Sequence, residues 1–269
     1  MSKHDRWSKL LELLAAEGRL DVDAAATALD VSPATIRRDL DELAEQQMLV
    51  RTRGGAVAHG VSYELPLRYK SSRHASEKQR IAAAVAEMIA EGDVVGLNGG
   101  TTTTEVARAL ALRTGGGGER RRRDPADASV PLFTVVTNAL NIAGELAVRP
   151  RVKIVVTGGV ARPQTYELVG PLTVGVLNEV VLDVAVLGVD GVDPQLGLMT
   201  HQEDEASISR LFAERARRVI VVTDSSKMGR RAFARICGLD RVDVLVTDSA
   251  LPTGTRDRLT EAGIKVHAV

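Results

Sequence analysis

The amino-acid sequence predicts an α/β protein with two domains: a small N-terminal domain of helices and a β-hairpin, and a larger domain on a doubly wound, mostly parallel sheet. Apolar residues at helical spacing, followed by a hairpin pattern, predict the first over residues 1–57. Short Val, Leu and Ile runs alternate with helical segments over residues 77–269, which predicts the second. The polar, irregular residues 58–76 between them are typical of an interdomain linker.

Three helices are predicted in the N-terminal domain. The first covers Arg6–Ala16 and ends at Gly18, and the second covers Asp23–Leu29, whose small residues allow close packing. Asp30-Val31-Ser32 forms a tight turn before the third helix. This order of elements within about 45 residues is the helix-turn-helix arrangement.

The third helix, Ser32–Leu43, has the pattern of a DNA-recognition helix. Ser32 suits the N-cap and Pro33 the first helical position. One side is an apolar stripe: Ile36, Leu40 and Leu43. The other side has small and basic residues that suit a major groove: Ala34, Thr35 on a flank, Arg37 and Arg38. The alternative is an ordinary surface helix, in which the two arginines pair with the acids four residues on, Asp41 and Glu42.

A β-wing is predicted after this helix. Residues 48–57 alternate like a strand and turn at Gly54-Gly55, which would present Arg51 and Arg53 to phosphates or the minor groove. The alternative is an ordinary hairpin with solvated arginines. Residues 1–57 hold eight basic and ten acidic residues, a formal charge of −2. Bulk attraction to DNA is therefore weak, and we expect binding to depend on local arginine clusters in paired subunits.

The composition sets limits on location and chemistry. The 269 residues are 44% hydrophobic with zero formal net charge, enough for two domains with a sizeable core. No apolar run approaches the ~20 residues of a membrane span, and the first residues have no apolar signal region, so we expect a cytoplasmic protein without a membrane partner. The one cysteine, Cys237, excludes an internal disulfide and a cysteine-rich metal site, and we expect it to be packed.

The larger domain is predicted from seven strands and the helices between them. The strands are Val94–Leu97, Phe133–Thr137, Lys153–Thr157, Val184–Leu187, Val219–Thr223, Val242–Thr247 and Lys265–Ala268. The helices include Lys78–Ala90, Thr102–Leu112, Ala139–Val148, Glu203–Arg217 and Thr255–Ala262. Residues 113–131 interrupt this pattern with four glycines and four arginines, which predicts a flexible surface insertion. Contact of its arginines with DNA or polyphosphate is the alternative.

The residues directly after the strands have a common chemical character. They include glycines, hydroxyls, amides, carboxylates and one lysine, in the segments Asn98–Thr104, Thr137–Asn138, Thr157–Gly159, Gly188–Gly191, Asp224–Lys227 and Thr247–Asp248. Ligands of such sheets bind beyond the carboxyl ends of the strands, and a glycine-rich turn before a helix suits a phosphate. Each segment alone could be a capping turn. Together they predict a site for a phosphorylated polyol.

Motifs of nucleotide enzymes and metal sites are missing from the sequence. It has neither GxxxxGK[ST] nor GxGxxG, and no His/Cys cluster, so we expect no metal, no cofactor and no catalytic residues. His201 could titrate or act as a ligand, but the pattern favours an exposed histidine at the start of a helix.

The segment VSPATIRRDLDELAEQQMLVRTRGGAV resembles the winged helix-turn-helix of DeoR-family bacterial transcription regulators. That family combines a TIRRDL helix with a hydrophobic-Arg wing that ends in Gly-Gly-Ala. Gln47, in place of a usual glycine, and Arg53, in place of a usual histidine, depart from the pattern. The resemblance implies a DNA-binding protein, but these departures prevent any inference about the operator sequence.

The resemblance continues through EKQRIA, GGTTTTEVARAL, VVTNALNIAGEL, VVTGGV, VGPLT, GVDGVD, EDEASISR, VIVVTDSSKMGR and VDVLVTD. These pieces resemble the family's C-terminal sensor domain, similar in fold to ribose-5-phosphate isomerases and CoA transferases, which senses sugar phosphates. By matching position, Gly99, Gly100, Thr101, Thr102 and Thr103 would hold phosphate. The rest of the effector site would include Asn98, Asn138, Gly158, Gly159, Asp190, Glu205, Asp224 and Lys227. Asn98 replaces an aspartate that is common in the family.

The sequence thus indicates a regulator, a repressor of a carbohydrate operon, whose binding to double-stranded DNA responds to a sugar phosphate. We expect a homodimer or a higher homo-oligomer. One alternative is a sugar-phosphate isomerase that uses Asp190, Glu205 or Asp224 as general base, with Lys227 stabilising an enediolate. Another is an activator or a nucleoid-type DNA-binding protein.

Overall fold

The computed structural model describes residues 1–46, 48–57, 67, 74–115, 130–149 and 151–269. The chain divides into two units, Met1–Arg73 and His74–Val269. Most of the predicted linker, most of the predicted insertion and Gln47 lie outside the described residues. No helix in the described ranges is long and apolar enough to cross a membrane.

The N-terminal unit has three helices and a three-stranded antiparallel sheet. Its elements are α1 (Lys3–Glu17), β1 (Arg19–Asp21), α2 (Val22–Leu29), α3 (Pro33–Glu45), β2 (Val50–Thr52) and β3 (Gly55–Val57). Ser2 and Asp5 form a capping box on α1, and Gly18 ends that helix in the left-handed conformation. Ser32 caps α3 and Pro33 is its first residue, as the sequence predicts. The three helices pack around a single apolar core.

The wing contains a strand that the sequence pattern did not indicate. The sheet order is β1-β3-β2, so β1 pairs with the returning strand of the hairpin. Gly55 pairs with Asp21 of β1, and a Cβ atom on Gly55 would lie 1.9 Å from the Leu20 carbonyl oxygen. Gly54 makes the turn with a φ of +90°. The two glycines therefore have separate tasks, one in the turn and one in the close contact of strands.

The larger unit alternates strands and helices. Its helices are α4 (Ala75–Glu87), α5 (Thr101–Gly115), α6 (Leu140–Leu146), α7 (Pro171–Asn178), α8 (Glu203–Arg215) and α9 (Thr253–Glu261). The main-sheet strands are β4 (Val94–Leu97), β5 (Phe133–Thr137), β6 (Val152–Val156), β9 (Leu182–Gly188), β12 (Ala216–Val222), β14 (Val244–Thr247) and β15 (Lys265–Ala268). Short strands complete it: β7 (Val160–Ala161), β8 (Leu168–Val169), β10 (Gly191–Asp193), β11 (Gly197–Thr200) and β13 (Ala234–Cys237).

All seven predicted strands belong to one parallel sheet, in the order β15-β14-β12-β9-β4-β5-β6. The chain starts at the centre with β4, moves outward to β6, and then returns to β9 beside β4. This order confirms the predicted doubly wound sheet and sets its topological switch point between β4 and β9. Ligands of open α/β sheets bind at the carboxyl ends of the strands near such a point.

Each face of the sheet has its own apolar core. One contains residues of α4, α5 and α6, and the other contains residues of α7, α8 and α9. Successive residues of β9 alternate between them: Val184 and Val186 belong to the first, Ala185 and Leu187 to the second. Burial on both faces explains why these strands are nearly continuous apolar runs.

Candidate DNA-binding and effector sites

The exposed side of α3 carries two arginines without an acidic partner. Arg37 and Arg38 are exposed, and neither forms an ion pair with a residue in the described ranges. The acids that could neutralise them are paired elsewhere: Asp41 with Arg51, at 2.7 Å between Oδ1 and Nε, and Glu42 with Lys3. The structure therefore does not contain the alternative ion pairs, in which Arg37 would bind Asp41 and Arg38 would bind Glu42.

The other residues predicted to contact DNA differ in their surroundings: one caps the helix, one is held by hydrogen bonds, and others are exposed. The Ser32 hydroxyl accepts a hydrogen bond from the Thr35 amide at 3.1 Å, so it caps the helix beside exposed Ala34. Arg51 donates to Asp41 and to the Gly55 carbonyl, which ties its guanidinium to α3 and to the wing backbone. Arg53 lies exposed at the turn of the wing.

Asp39 holds α3 against α1. It is 2% exposed and accepts hydrogen bonds from Trp7 Nε1 at 2.9 Å, from Arg6 Nη2 at 3.0 Å and from Arg6 Nε. The hydrogen bond to Asp39 raises the pKa of Arg6, although burial acts in the opposite direction. An acid on the buried side of α3 is thus explained by its partners on α1, which fix the orientation of the recognition helix.

In the larger unit, the turn between β4 and α5 is the segment that the sequence analysis assigned to phosphate binding. Gly100 has a φ of +138°, and a Cβ on Gly99 would lie 2.3 Å from Glu167 Cγ. The first amides of a helix have no partners within it and favour an anion. The Thr103 hydroxyl donates to the Gly100 carbonyl at 3.1 Å, so it shapes the turn. Thr101 and Thr102 begin the helix, and Thr102 is buried.

Asn98 joins β4 to β9 at the switch point. Its Oδ1 accepts from the Gly188 amide at 2.8 Å, and its Nδ2 donates to the Gly188 carbonyl and to Ser209 Oγ, each at 3.0 Å. Both polar groups of this 3% exposed side chain are engaged within the protein. Asn98 therefore holds the ends of β4 and β9 together.

Asn138 follows β5 and contacts a residue that the sequence analysis missed. Its Nδ2 donates to Glu167 Oε2 at 2.9 Å and to the Leu168 carbonyl at 3.2 Å. Glu167 is 5% exposed and lies against Gly99. It precedes the two-residue strand β8, and no motif or periodicity in the sequence marks it. A buried acid beside a predicted phosphate cradle could be identified only from the fold.

Glu205 is a second buried acid, and it contacts the same segment that carries Glu167. It is 2% exposed, accepts from Thr165 Oγ1 at 2.7 Å, and lies 3.0 Å from Arg162 Nε. Arg162 and Thr165 come from the segment between β7 and β8, which also carries Glu167. This segment is thus fastened to α8 through Glu205 and to β5 through Asn138.

Asp190 lies at the centre of a polar cluster after β9. It accepts from Thr200 Oγ1 at 3.0 Å, and its Oδ1 is 3.8 Å from Lys227 Nζ and 4.0 Å from His201 Nε2. His201 is half-buried, so the expected exposed position is wrong: the β10–β11 hairpin brings it back over Asp190. The structure therefore brings together Asp190 and Lys227, which are 37 residues apart in sequence.

Two aspartates hold the turn that carries Lys227. Asp224 caps the 3-10 turn Ser225–Lys227 by accepting from the Ser226 amide at 3.1 Å. Asp248 accepts from the Ser225 amide at 2.6 Å and from its hydroxyl at 2.9 Å. Burial raises the pKa of Asp248, but the bonds from Ser225 prevail and the pKa is below its ordinary value.

The glycines after β6 differ in surroundings. Gly158 is exposed with a φ of +73°, whereas a Cβ on Gly159 would lie 2.3 Å from Thr173 Oγ1 of α7. The Thr173 hydroxyl donates to the Gly158 carbonyl at 2.7 Å. Gly159 is therefore required for packing, and Gly158 remains open.

Among the described residues, the buried polar atoms without a hydrogen-bond partner include Asn138 Oδ1, His201 Nδ1 and Thr247 Oγ1, each in or directly after a strand. Buried polar groups are normally hydrogen-bonded, so these unpaired atoms are candidates to contact a ligand or water. Within the described residues, no group of three or more His, Cys, Asp or Glu side chains is arranged to hold a metal ion.

Two family models match the chain. The DeoR-like helix-turn-helix domain matches residues 6–60, and the DeoR C-terminal sensor domain matches residues 73–115 and 127–249. Together they extend over both units of the structure.

Individual relatives match along nearly the whole chain. The HTH-type transcriptional regulator GlpR of Haloferax volcanii is 34% identical over 263 residues, which cover 97% of this chain and 96% of that protein. The glycerol-3-phosphate regulon repressor of Escherichia coli K12 is 31% identical over 267 residues, 99% of each chain. A solved structure, the probable sor operon regulator from Shigella flexneri, aligns with a TM-score of 0.44 and 13% identity over 74% of this chain and 94% of that one. By its two domain matches and these full-length relatives, the chain belongs to the DeoR family of DNA-binding transcriptional regulators, which confirms the resemblance in its sequence.

Proposed function

We propose that this protein represses a carbohydrate-metabolism operon by binding a double-stranded operator through its N-terminal unit, and that a phosphorylated sugar bound by the larger unit changes that binding. The observation that carries the proposal is the exposure of Arg37 and Arg38, whose potential acidic partners are bound to Lys3 and Arg51. A relative named as a repressor of the glycerol-3-phosphate regulon supports the direction of control. The protein would act in the cytoplasm, where its operator lies.

On DNA, α3 would enter the major groove with its N-terminal end toward the bases. A free guanidinium forms two parallel hydrogen bonds with guanine O6 and N7, and Arg37 and Arg38 are free to do so. Arg53 at the wing would contact the phosphate backbone. Because residues 1–57 carry a formal charge of −2, one unit should bind weakly, and a homodimer on two half-sites should bind far more tightly.

A gel-shift titration tests the DNA interface, with an operator fragment identified by footprinting upstream of the protein's own gene. Arg38→Ala should weaken binding by about 1–3 kcal/mol if Arg38 contacts a base edge. Arg256→Ala, an exposed arginine of α9 in the other unit, removes the same charge and should leave affinity unchanged. Equal affinities of the two variants would contradict a role for Arg38. Diffuse protection along all DNA would instead indicate a nucleoid-type protein.

In the larger unit, the effector phosphate would bind the free amides at the start of α5, with Gly99 and Gly100 allowing close approach. Lys227 would supply a positive charge, and the hydroxyl groups of the sugar would donate to Asp190, Glu167 and the unpaired Oδ1 of Asn138. The effector must prefer one state of the protein, since a ligand that binds both states equally shifts nothing.

A thermal-shift screen of phosphorylated sugars, followed by gel shifts with each hit, tests the effector site. Lys227→Ala should abolish the response to the effector while preserving operator affinity. A retained response would exclude a phosphate-binding role for Lys227. Lys153→Ala, on an exposed lysine of β6, is the matched control and should respond like the wild type.

We do not propose an isomerase. The three carboxylates considered as general bases already have partners: Glu205 binds Arg162, Asp224 caps the Ser225–Lys227 turn, and Asp190 lies beside Lys227. Incubation of the purified protein with pentose and hexose phosphates should therefore give no turnover.

A further inference from the structure

One cavity of the larger unit lies toward the amino ends of β12 and β14, whereas the proposed effector site lies at the carboxyl edge. Its volume is about 320 Å³, and three arginines line it: Arg210 from α8, Arg235 from β13 and Arg241 from the 3-10 turn before β14. Glu214 and Cys237 also line the cavity.

Backbone carbonyls hold the three guanidinium groups in position. Arg210 donates from Nε to the Ile236 carbonyl at 2.8 Å and from Nη2 to the Arg235 carbonyl at 2.7 Å. Arg235 Nε donates to the Leu196 carbonyl at 2.7 Å, and Arg241 Nη2 to the Ala213 carbonyl at 3.1 Å. Each guanidinium has five N–H donors, so these bonds leave most of them available.

Three arginines face two nearby acids, Glu214 in the lining and Asp240 beside Arg235, so positive charge is in excess at this cavity. Within the described residues, none of the three arginines forms an ion pair with a carboxylate closer than 4.0 Å. Burial raises the pKa of the Cys237 thiol and Asp240 acts in the same direction, whereas all three arginines act to lower this pKa, so their fields meet at the thiol. The two acids offset part of the repulsion among the three guanidinium groups, and a bound anion would offset the rest.

We propose that this cavity binds a small polyanion with at least two negative charges, of the diphosphate class, at a site separate from the effector site. Guanidinium groups form paired, charge-assisted hydrogen bonds with phosphate oxygens, and groups already fixed by backbone carbonyls lose little freedom on binding. Because Glu214 also lines the cavity and would repel an anion, the ligand would have to be compact enough to contact the arginines and avoid this carboxylate.

Cys237 provides a built-in reporter, since it lines the cavity and is the one cysteine of the sequence. The rate of alkylation by a neutral maleimide is measured with and without inorganic pyrophosphate, at ionic strength held constant with sodium chloride. At a pyrophosphate concentration about ten times its Kd, labelling should slow about tenfold, as expected from simple occupancy. An unchanged rate up to millimolar pyrophosphate would overturn the proposal.

Variants locate the bound anion. Protection should be lost in Arg235→Ala and retained in Arg256→Ala, which removes an exposed arginine outside the cavity. Protection should also persist in Lys227→Ala, and its loss there would assign the anion to the carboxyl edge and overturn the proposal. Should Arg235→Ala fail to fold, phosphorus NMR of pyrophosphate with the wild-type protein decides the case. Line broadening that a maleimide-blocked Cys237 abolishes supports the site, and broadening that the block leaves intact contradicts it.

Discussion

Replacing Asp39 by alanine should unfold much of the N-terminal unit, although this side chain does not face the proposed DNA surface. Three hydrogen bonds from Arg6 and Trp7 end on its carboxylate, which is 2% exposed. Without it, the Arg6 guanidinium, whose side chain is 14% exposed, loses its acidic partner, and the buried indole N–H of Trp7 loses its acceptor. The hydrogen bonds that now join α1 to α3 would then be lost.

The magnitude follows from these contacts. Removing one partner of a buried ion pair costs about 3–5 kcal/mol, because an uncompensated charge stays behind. Domains have about 0.05–0.15 kcal/mol of stability per residue, so residues 1–57 have on the order of 3–9 kcal/mol in total. We therefore expect Asp39→Ala to lower the free energy of unfolding of this unit by about 4 kcal/mol. Operator binding should fall with it.

Urea unfolding followed by the fluorescence of Trp7 measures this effect, because Trp7 is the one tryptophan of the sequence and lies in the N-terminal unit. With an m value of about 1 kcal/mol/M, the midpoint should fall by about 4 M. Asp41→Ala is the matched control, since Asp41 has an exposed side chain and its surface pair with Arg51 should contribute less than about 1 kcal/mol. If both variants unfold at the same urea concentration, the role assigned to Asp39 is wrong.

Three further outcomes are expected. Gly55→Ala places a Cβ 1.9 Å from a backbone carbonyl oxygen of β1, so it should lower the stability of the wing by about 3 kcal/mol; an unchanged Trp7 midpoint would contradict this. Hydrogen bonds from Arg231 and two backbone amides lower the pKa of Asp193 from 3.8 to about 2. This carboxylate therefore stabilises the fold above about pH 4, and its contribution is lost as the pH falls toward 2. Urea titrations should show Asp193→Asn less stable than the wild type at pH 7 and equal to it near pH 2, whereas a constant difference would count against the assignment. Burial raises the pKa of Cys237 to about 11. Because the thiolate is the reactive form, the rate of alkylation should rise about tenfold per pH unit from pH 8 to 10. A plateau of the rate near pH 9 would contradict the raised pKa.

The sequence predicts long elements of this protein well because each has a periodicity of its own. The strands Val94–Leu97 and Phe133–Thr137 have the predicted bounds, and α3 begins at the predicted proline. Burial on both faces of the sheet leaves continuous Val and Ile runs, and one buried side of α3 leaves a helical stripe.

What the sequence did not indicate depends on contacts between distant residues. β1 and β8 have three and two residues, too few for any periodicity, and they exist because other strands pair with them. Glu167 becomes part of the candidate site only through Asn138, 29 residues earlier. Likewise, helical spacing alone leaves Asp41 available to Arg37, and only the folded wing brings Arg51 to Asp41.

The neutral amide of Asn98 has an electrostatic consequence for the junction between β4 and β9. An aspartate at this position could accept from the Gly188 amide, but it would repel the Gly188 carbonyl, which Asn98 instead contacts as a donor. Because Asn98 is neutral, neither pH nor salt concentration should change the hydrogen bonds that it forms between β4 and β9. Several carboxylates lie at this edge of the sheet, so a neutral Asn98 would spare the proposed phosphate ligand one more repulsion.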